Sequence, residues 1–174
     1  MKTKSAKKEK VLVSVVMGSD SDLPIMTEAA KILEEFAIGH ELILTSAHRT
    51  PERTTKFAQA AAQRGIQVII VGAGAAAHLA GVIAAQTPLP VIGIPIDATS
   101  LHGLDALLST IQMPGGVPVA CMAIGKAGAK NAALFAIRIL ALADKSIDSK
   151  LSDHIQKMAR EVEKKQENLS CRKS

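Results

Sequence analysis

Ser46-Ala47-His48-Arg49-Thr50-Pro51 puts an imidazole, a guanidinium and two hydroxyls within six residues. An imidazole gives and takes protons near neutral pH, and a guanidinium holds phosphate or carboxylate through charge-assisted hydrogen bonds. The pair suits acid–base chemistry on an anionic substrate. The run Glu41 to Thr45 before it reads as a buried strand. Thr50-Pro51-Glu52 reads as a helix start, with Thr50 as N-cap, Pro51 at the first helical position and Glu52 favoured by the dipole. His48 and Arg49 are therefore expected at the carboxyl end of a strand, beside a helix N-terminus, where open α/β sheets bind ligands.

Two other segments carry chemistry. Gly18-Ser19-Asp20-Ser21-Asp22 alternates hydroxyls and carboxylates ahead of a helix. The hydroxyls of Ser19 and Ser21, with free backbone N–H groups, suit a phosphate, and Asp22 suits sugar hydroxyls. Ser21 or Asp22 equally suits a plain N-cap, and composition does not separate these readings. Gly72-Ala73-Gly74-Ala75-Ala76-Ala77-His78 matches G-x-G-x-x-A, the weak form of the dinucleotide fingerprint, with Asp97 near the end of the next strand. That fingerprint normally opens the first βαβ unit; here it opens the third, with no second domain to hold a hydride acceptor. Small residues there also let backbone approach a compact planar ligand closely. His48 and His78 have no Cys nearby and no H-E-x-x-H spacing, so no metal is expected. His40, His102 and His154 read as surface or hydrogen-bonded side chains.

These loops need a scaffold, and the chain repeats one. Val11–Met17, Glu41–Thr45, Gln67–Val71, Pro90–Ile96 and Val117–Ile124 read as strands, each followed by a helical pattern. Met26, Ala29, Leu33 and Phe36 fall at helical spacing in the first helix, and Gly65 stops the second. Strands alternating with helices imply a parallel sheet between helical layers. The expected fold is an α/β three-layer, flavodoxin-like sandwich with a five-stranded parallel sheet, plus a C-terminal helix near 146–165. Expected boundaries are a basic disordered tail at 1–10, a single α/β domain at 11–165 and a polar tail at 166–174. Asn131–Ala143 is apolar almost all round, which suits burial against another subunit.

Composition narrows the class. The 174 residues and 48% hydrophobic content suit one globular domain. The net charge is +5, but residues 1–10 carry +4 and 164–174 carry +3, leaving −2 for the folded part. The basic ends read as solvated tails. Phe36, Phe57 and Phe135 are the only aromatic residues, so the base-stacking platforms of single-strand binders are missing, and no nucleic-acid partner is expected. Cys121 and Cys171 give neither a disulfide framework nor a metal set, and a reducing compartment is the default. No signal-like or bilayer-spanning apolar run is present; a cytoplasmic protein with no membrane partner is expected.

Taken together, GSDSD at 18–22, SAHRTP at 46–51, GAGAAAHLAG at 72–81, LLSTIQMPGGVPVA at 107–120 and AIGKAGAKNAAL at 123–134 resemble the class I N5-carboxyaminoimidazole ribonucleotide mutases of purine biosynthesis. The resemblance spans Val11 to Asp153. It departs at Ala75, where many members have a second Gly, and at Ala80, where many have Pro. It implies a homo-octamer with a flavodoxin-like subunit, no organic cofactor and no metal, and a ribonucleotide whose carbamate moves from the exocyclic nitrogen to ring carbon C4. By the same resemblance Ser19, Ser21, Ser46 and Arg49 would hold the phosphate and Asp22 the ribose. Gly74, Ala75, Ala76, His78 and Leu79 would enclose the imidazole and the migrating carboxylate. His48 would be the general acid and base. A branch that carboxylates aminoimidazole ribonucleotide directly typically carries Lys-Gly in place of Arg49-Thr50, which favours the mutase. A non-enzymatic module sensing a phosphorylated metabolite is the reading from another class.

Overall fold

The structure, a computed structural model, describes residues 10–170. The expected basic tail lies, but for Lys10, outside the described residues, as do Cys171 and the rest of 171–174. The elements run β1 (Val13–Met17), a 3-10 turn (Asp20–Asp22), α1 (Leu23–Glu35), β2 (His40–Leu44), α2 (Pro51–Ala61), β3 (Val68–Gly74) and α3 (Leu79–Ala84). They continue with β4 (Val91–Ile96), α4 (Leu104–Ile111), β5 (Ala120–Cys121), α5 (Lys126–Ala141) and α6 (Lys145–Ser170). The chain divides within α5 into two compact units, Met1–Ala136 and Ile137–Ser174.

In the first unit five parallel strands lie in the order β2-β1-β3-β4-β5. This is the expected flavodoxin-like arrangement. Every residue of β1 and of β4 is buried, so the middle of the sheet is covered on both faces, as parallel sheets require. One helical layer uses α2 and α3, whose Ala58, Ala61, Leu79, Ala80 and Ile83 pack with Val16, Ile69, Val71 and Val91. Helix α1 buries Met26, Ala29, Ala30 and Leu33, a stripe at spacings of three and four, with Pro24 in its first turn. It ends at Phe36; Ala37 takes φ 55, and Ile38 N–H donates to Leu33 O.

Register fixes the height at which the loops emerge. Met17, the last residue of β1, pairs with Leu44 on one side and Gly72 on the other. Gly74 pairs in turn with Ile96. The segments after β1, β2, β3 and β4 therefore leave one edge of the sheet together. The order reverses between β1 and β3, the crevice where such sheets take ligands.

The fifth strand is shorter than the apolar run 117–124 suggests. Gly116 at φ 94 turns the chain and Pro118 has no N–H for a ladder, leaving two paired residues, Ala120 and Cys121. The extended path still continues, because Met122 N–H reaches Gly93 O and Gly125 N–H reaches Pro95 O. In the second unit α6 runs through 166–170, past the expected helix end at 165. Asp144 caps it, accepting from the Ser146 hydroxyl and the Ser146 and Ile147 N–H groups, which hold its carboxyl below the usual range.

At Gly72 the Met26 side chain of α1 packs directly on the sheet backbone. A Cβ there would overlap Met26 Sδ and stand 3.0 Å from Ile96 Cδ1. Gly72→Ala is expected to cost about 1–3 kcal/mol by overpacking, read as a lower urea midpoint, with Met26→Ala in the same chain recovering part of the loss. An unchanged midpoint would refute this packing account.

Candidate active site

The first loop is wired to itself. Ser19 N–H donates to Asp22 Oδ2 at 3.0 Å, and Ser21 N–H reaches Ser19 Oγ at 3.4 Å, which makes a capping box. The Ser21 hydroxyl lies 2.8 Å from Ser19 Oγ, and Asp20 Oδ1 accepts from the Ser19 hydroxyl and Ser21 N–H. Asp22 is thus a capping residue and a cleft residue at once, only 4% exposed. Burial pushes its carboxyl up from the ordinary carboxylate range; the N–H groups of Ser19 and Gly18 and the Arg49 charge offset this in part.

The second loop turns tightly between β2 and α2. Thr50 occupies the N-cap position, but its hydroxyl does not cap α2. Instead Ser46 N–H donates to Thr50 Oγ1 at 2.9 Å, and the Thr50 hydroxyl returns a bond to Ser46 O. Below it Thr45 Oγ1 meets Thr54 Oγ1 at 2.9 Å, buried. Ser46 Oγ accepts from Arg49 N–H, which leaves its own proton available to a ligand oxygen. Arg49 Nη2 donates to Gly18 O at 2.9 Å, so the guanidinium lies across the first loop.

The third loop, beyond β3, holds Ala75 at φ 53. The left-handed region strains a residue with a Cβ, so Ala75 follows the path a Gly would take without cost. His78, at the start of α3, meets His48 with Nδ1 3.0 Å from His48 Nε2 and the rings at 85°. One of these nitrogens carries the proton and the other accepts it.

The loops enclose a cleft of about 360 Å³. Ser19, Ser21, Asp22, Ser46, His48, Arg49, Gly74, Ala75, Ala76 and Leu79 all line it. Of the residues given a site role by the resemblance, His78 alone does not line it; its ring lies against His48. Sequence reasoning missed Ala98, which lines the cleft from the loop after β4 and lies against the position of a Gly74 Cβ. The one signal for it was its place just past a strand end. Asp97, weighed as a ribose acid, instead stands 3.8 Å from His102 Nδ1 on the surface. Among the described residues no three His, Cys, Asp or Glu side chains cluster to hold a metal ion.

Residues 12–161 match the family model described as AIR carboxylase. The chain belongs to that family. It is 56% identical over 165 residues, 95% of this chain and 92% of the relative, to the N5-carboxyaminoimidazole ribonucleotide mutase of Pyrococcus horikoshii. The protein of the same name from Thermotoga maritima is 52% identical over 157 residues, 90% of this chain and 91% of the relative. A crystal structure of Treponema denticola PurE superposes with a TM-score of 0.83 at 29% identity, covering 91% of this chain and 98% of that one. The fold described above is thus shared with that structure.

Two predictions follow from the strained and buried groups of this family member. Ala75→Gly relieves the left-handed Cβ and is expected to raise stability by about 1 kcal/mol in chemical denaturation; no gain would place the loop on another path. For Asp22, a carboxyl whose folded pKa is raised favours folding below the unfolded pKa and loses that advantage as pH rises through the folded one. The melting temperature of Asp22→Asn minus that of the natural chain should therefore climb as pH rises above the ordinary carboxylate range. A flat or falling difference would show that the hydrogen bonds to Asp22 outweigh its burial.

Proposed function

We propose that this chain converts N5-carboxyaminoimidazole ribonucleotide to 4-carboxy-5-aminoimidazole ribonucleotide in de novo purine biosynthesis. The reading is supported by the family and by the names of its relatives. The observation that carries it is one cleft bringing His48, Arg49 and Ser46 against the hydroxyls of Ser19 and Ser21, Asp22 and the bare backbone at 74–76. An anionic, hydroxylated and flat ligand matches those walls in turn.

Ser19, Ser21, Ser46 and Arg49 hold the phosphate, and Asp22 takes the ribose hydroxyls. Gly74, Ala75, Ala76 and Leu79 close over the imidazole and the migrating carboxylate, with His78 at their end. The carbamate C–N bond breaks and CO2 leaves, its bonding pair staying on the exocyclic nitrogen, which His48 protonates. Ring carbon C4 then attacks the trapped CO2 with the enamine pair, and His48 removes the C4 proton. One proton is given and one taken, so the imidazole ends as it began and nothing else is consumed. Holding CO2 beside C4 replaces a slow bimolecular capture.

Arg49-Thr50 rather than Lys-Gly favours the mutase over direct carboxylation. The same reading makes the protein a cytoplasmic, cofactor-free homo-octamer. Assembly is supported by Leu104, Leu108 and Ile111, which stand exposed at spacings of four and three along α4.

The test is turnover of the carbamate substrate, compared with aminoimidazole ribonucleotide plus bicarbonate. The natural chain should turn over the carbamate rapidly. His48→Asn should lose at least about a hundredfold in kcat while still binding ribotide. Retained turnover in that variant removes the acid–base role; turnover only with bicarbonate makes the protein a carboxylase; binding without product leaves a metabolite-binding module.

A further inference from the structure

We propose that Arg53 is a phosphate-recognition residue, acting from a second cleft that shares a wall with the first. This rests on the ribotide reading above and extends it to a residue that neither the motifs nor the first cleft contains. The second cleft measures about 390 Å³ and has Gly18, Ser46 and Arg49 in common with the first. Arg53 lines only the second.

The charge balance points to it. A phosphate monoester carries about −1.5 to −2 at neutral pH. In the first cleft Arg49 is the one permanent cation, and it faces the buried carboxyl of Asp22. Arg49 also has one guanidinium nitrogen committed to Gly18 O. A single, partly committed guanidinium leaves the phosphate about half neutralised. Arg53 follows Arg49 by four residues and lies in the first turn of α2. It is exposed and has no hydrogen-bond or ion-pair partner among the described residues. Two guanidinium groups lining one cleft repel each other weakly, and an anion between them turns that repulsion into attraction at both. Asp20 lines the same cleft, but its Oδ1 is held by the Ser19 hydroxyl and Ser21 N–H. A phosphate at the shared wall therefore meets Ser46 and Arg49 from one side and Arg53 from the other. An exposed cation there also raises the capture rate of anionic ligand in a salt-dependent way.

The experiment is calorimetric titration of 4-carboxy-5-aminoimidazole ribonucleotide, and of the riboside lacking the phosphate, into the natural chain, Arg53→Ala and Arg53→Lys. Arg53→Ala should weaken ribotide binding about three- to tenfold and flatten its salt dependence, with riboside binding unaltered. In turnover KM should rise while kcat holds. Arg53→Lys should recover most of the affinity. Unchanged ribotide affinity in Arg53→Ala, or an equal loss for the riboside, overturns the proposal. Ribotide binding that depends on Arg53 without turnover would sink the mutase reading and leave this one standing. A natural chain that binds no ribotide sinks both.

Discussion

The pairing of β1 with both neighbours is the constraint on which the rest depends. Met17 is held between Leu44 and Gly72, and each of those residues stands just before a loop that lines the cleft. A slip of one residue would exchange the residues β1 presents to its two helical layers and offset the loops by about 3.3 Å. Such a slip would separate groups that must act within hydrogen-bond reach. What prevents it is burial on both faces: Val13, Val15 and Val16 are wholly inaccessible, and Ser14 is tolerated because its hydroxyl reaches Glu41 Oε1 at 2.7 Å.

On that frame the cleft is preorganised by bonds between the loops. Arg49 to Gly18 O ties the second loop to the first, and His48 to His78 ties the second to the third. Each tie spans a long stretch of sequence, so its geometry is inherited from the sheet. A guanidinium already aimed by one bond loses less freedom on meeting an anion than a free one. The hydroxyls of the first loop are chained in the same way, Ser21 donating to Ser19 Oγ and Ser19 to Asp20 Oδ1.

Strands buried on both faces read as short apolar runs, so the element order, the parallel sheet and the loops at its edge were legible in the sequence. Three site features were not, each because it depends on contact across the fold. Thr50 has the type and position of an N-cap, yet its hydroxyl turns back to Ser46, since the tight turn puts that N–H nearer. Ala98 carries no chemistry in its side chain; it matters because β4 ends beside Gly74. His78 looked like part of a backbone wall, whereas its ring is aimed at His48 across 30 residues of sequence. Ala75 shows the reverse: it carries a Cβ, and the backbone nonetheless takes a glycine-like φ of 53. The loop path is set by its neighbours, and the residue bears the strain.

The proposed reaction explains why so little chemistry is needed in so open a protein. A carboxylate that leaves one atom and rejoins the same molecule needs no group carrier and no net proton. The demands on the protein reduce to one reversible acid–base group, a grip on the phosphate remote from the reacting atoms, and a wall that keeps CO2 from diffusing away. Small residues serve the last demand better than large ones, because the backbone of 74–76 can then lie close against a planar ring and leave no room for water beside it. In the proposed reaction the phosphate grip also serves the acid–base group: binding free energy gained at Ser46 and Arg49 would fix the ring where His48 reaches both nitrogen and C4. On that proposal Arg49 and the His48 imidazole belong on one short turn, since any motion between them would detach the grip from the chemistry it positions.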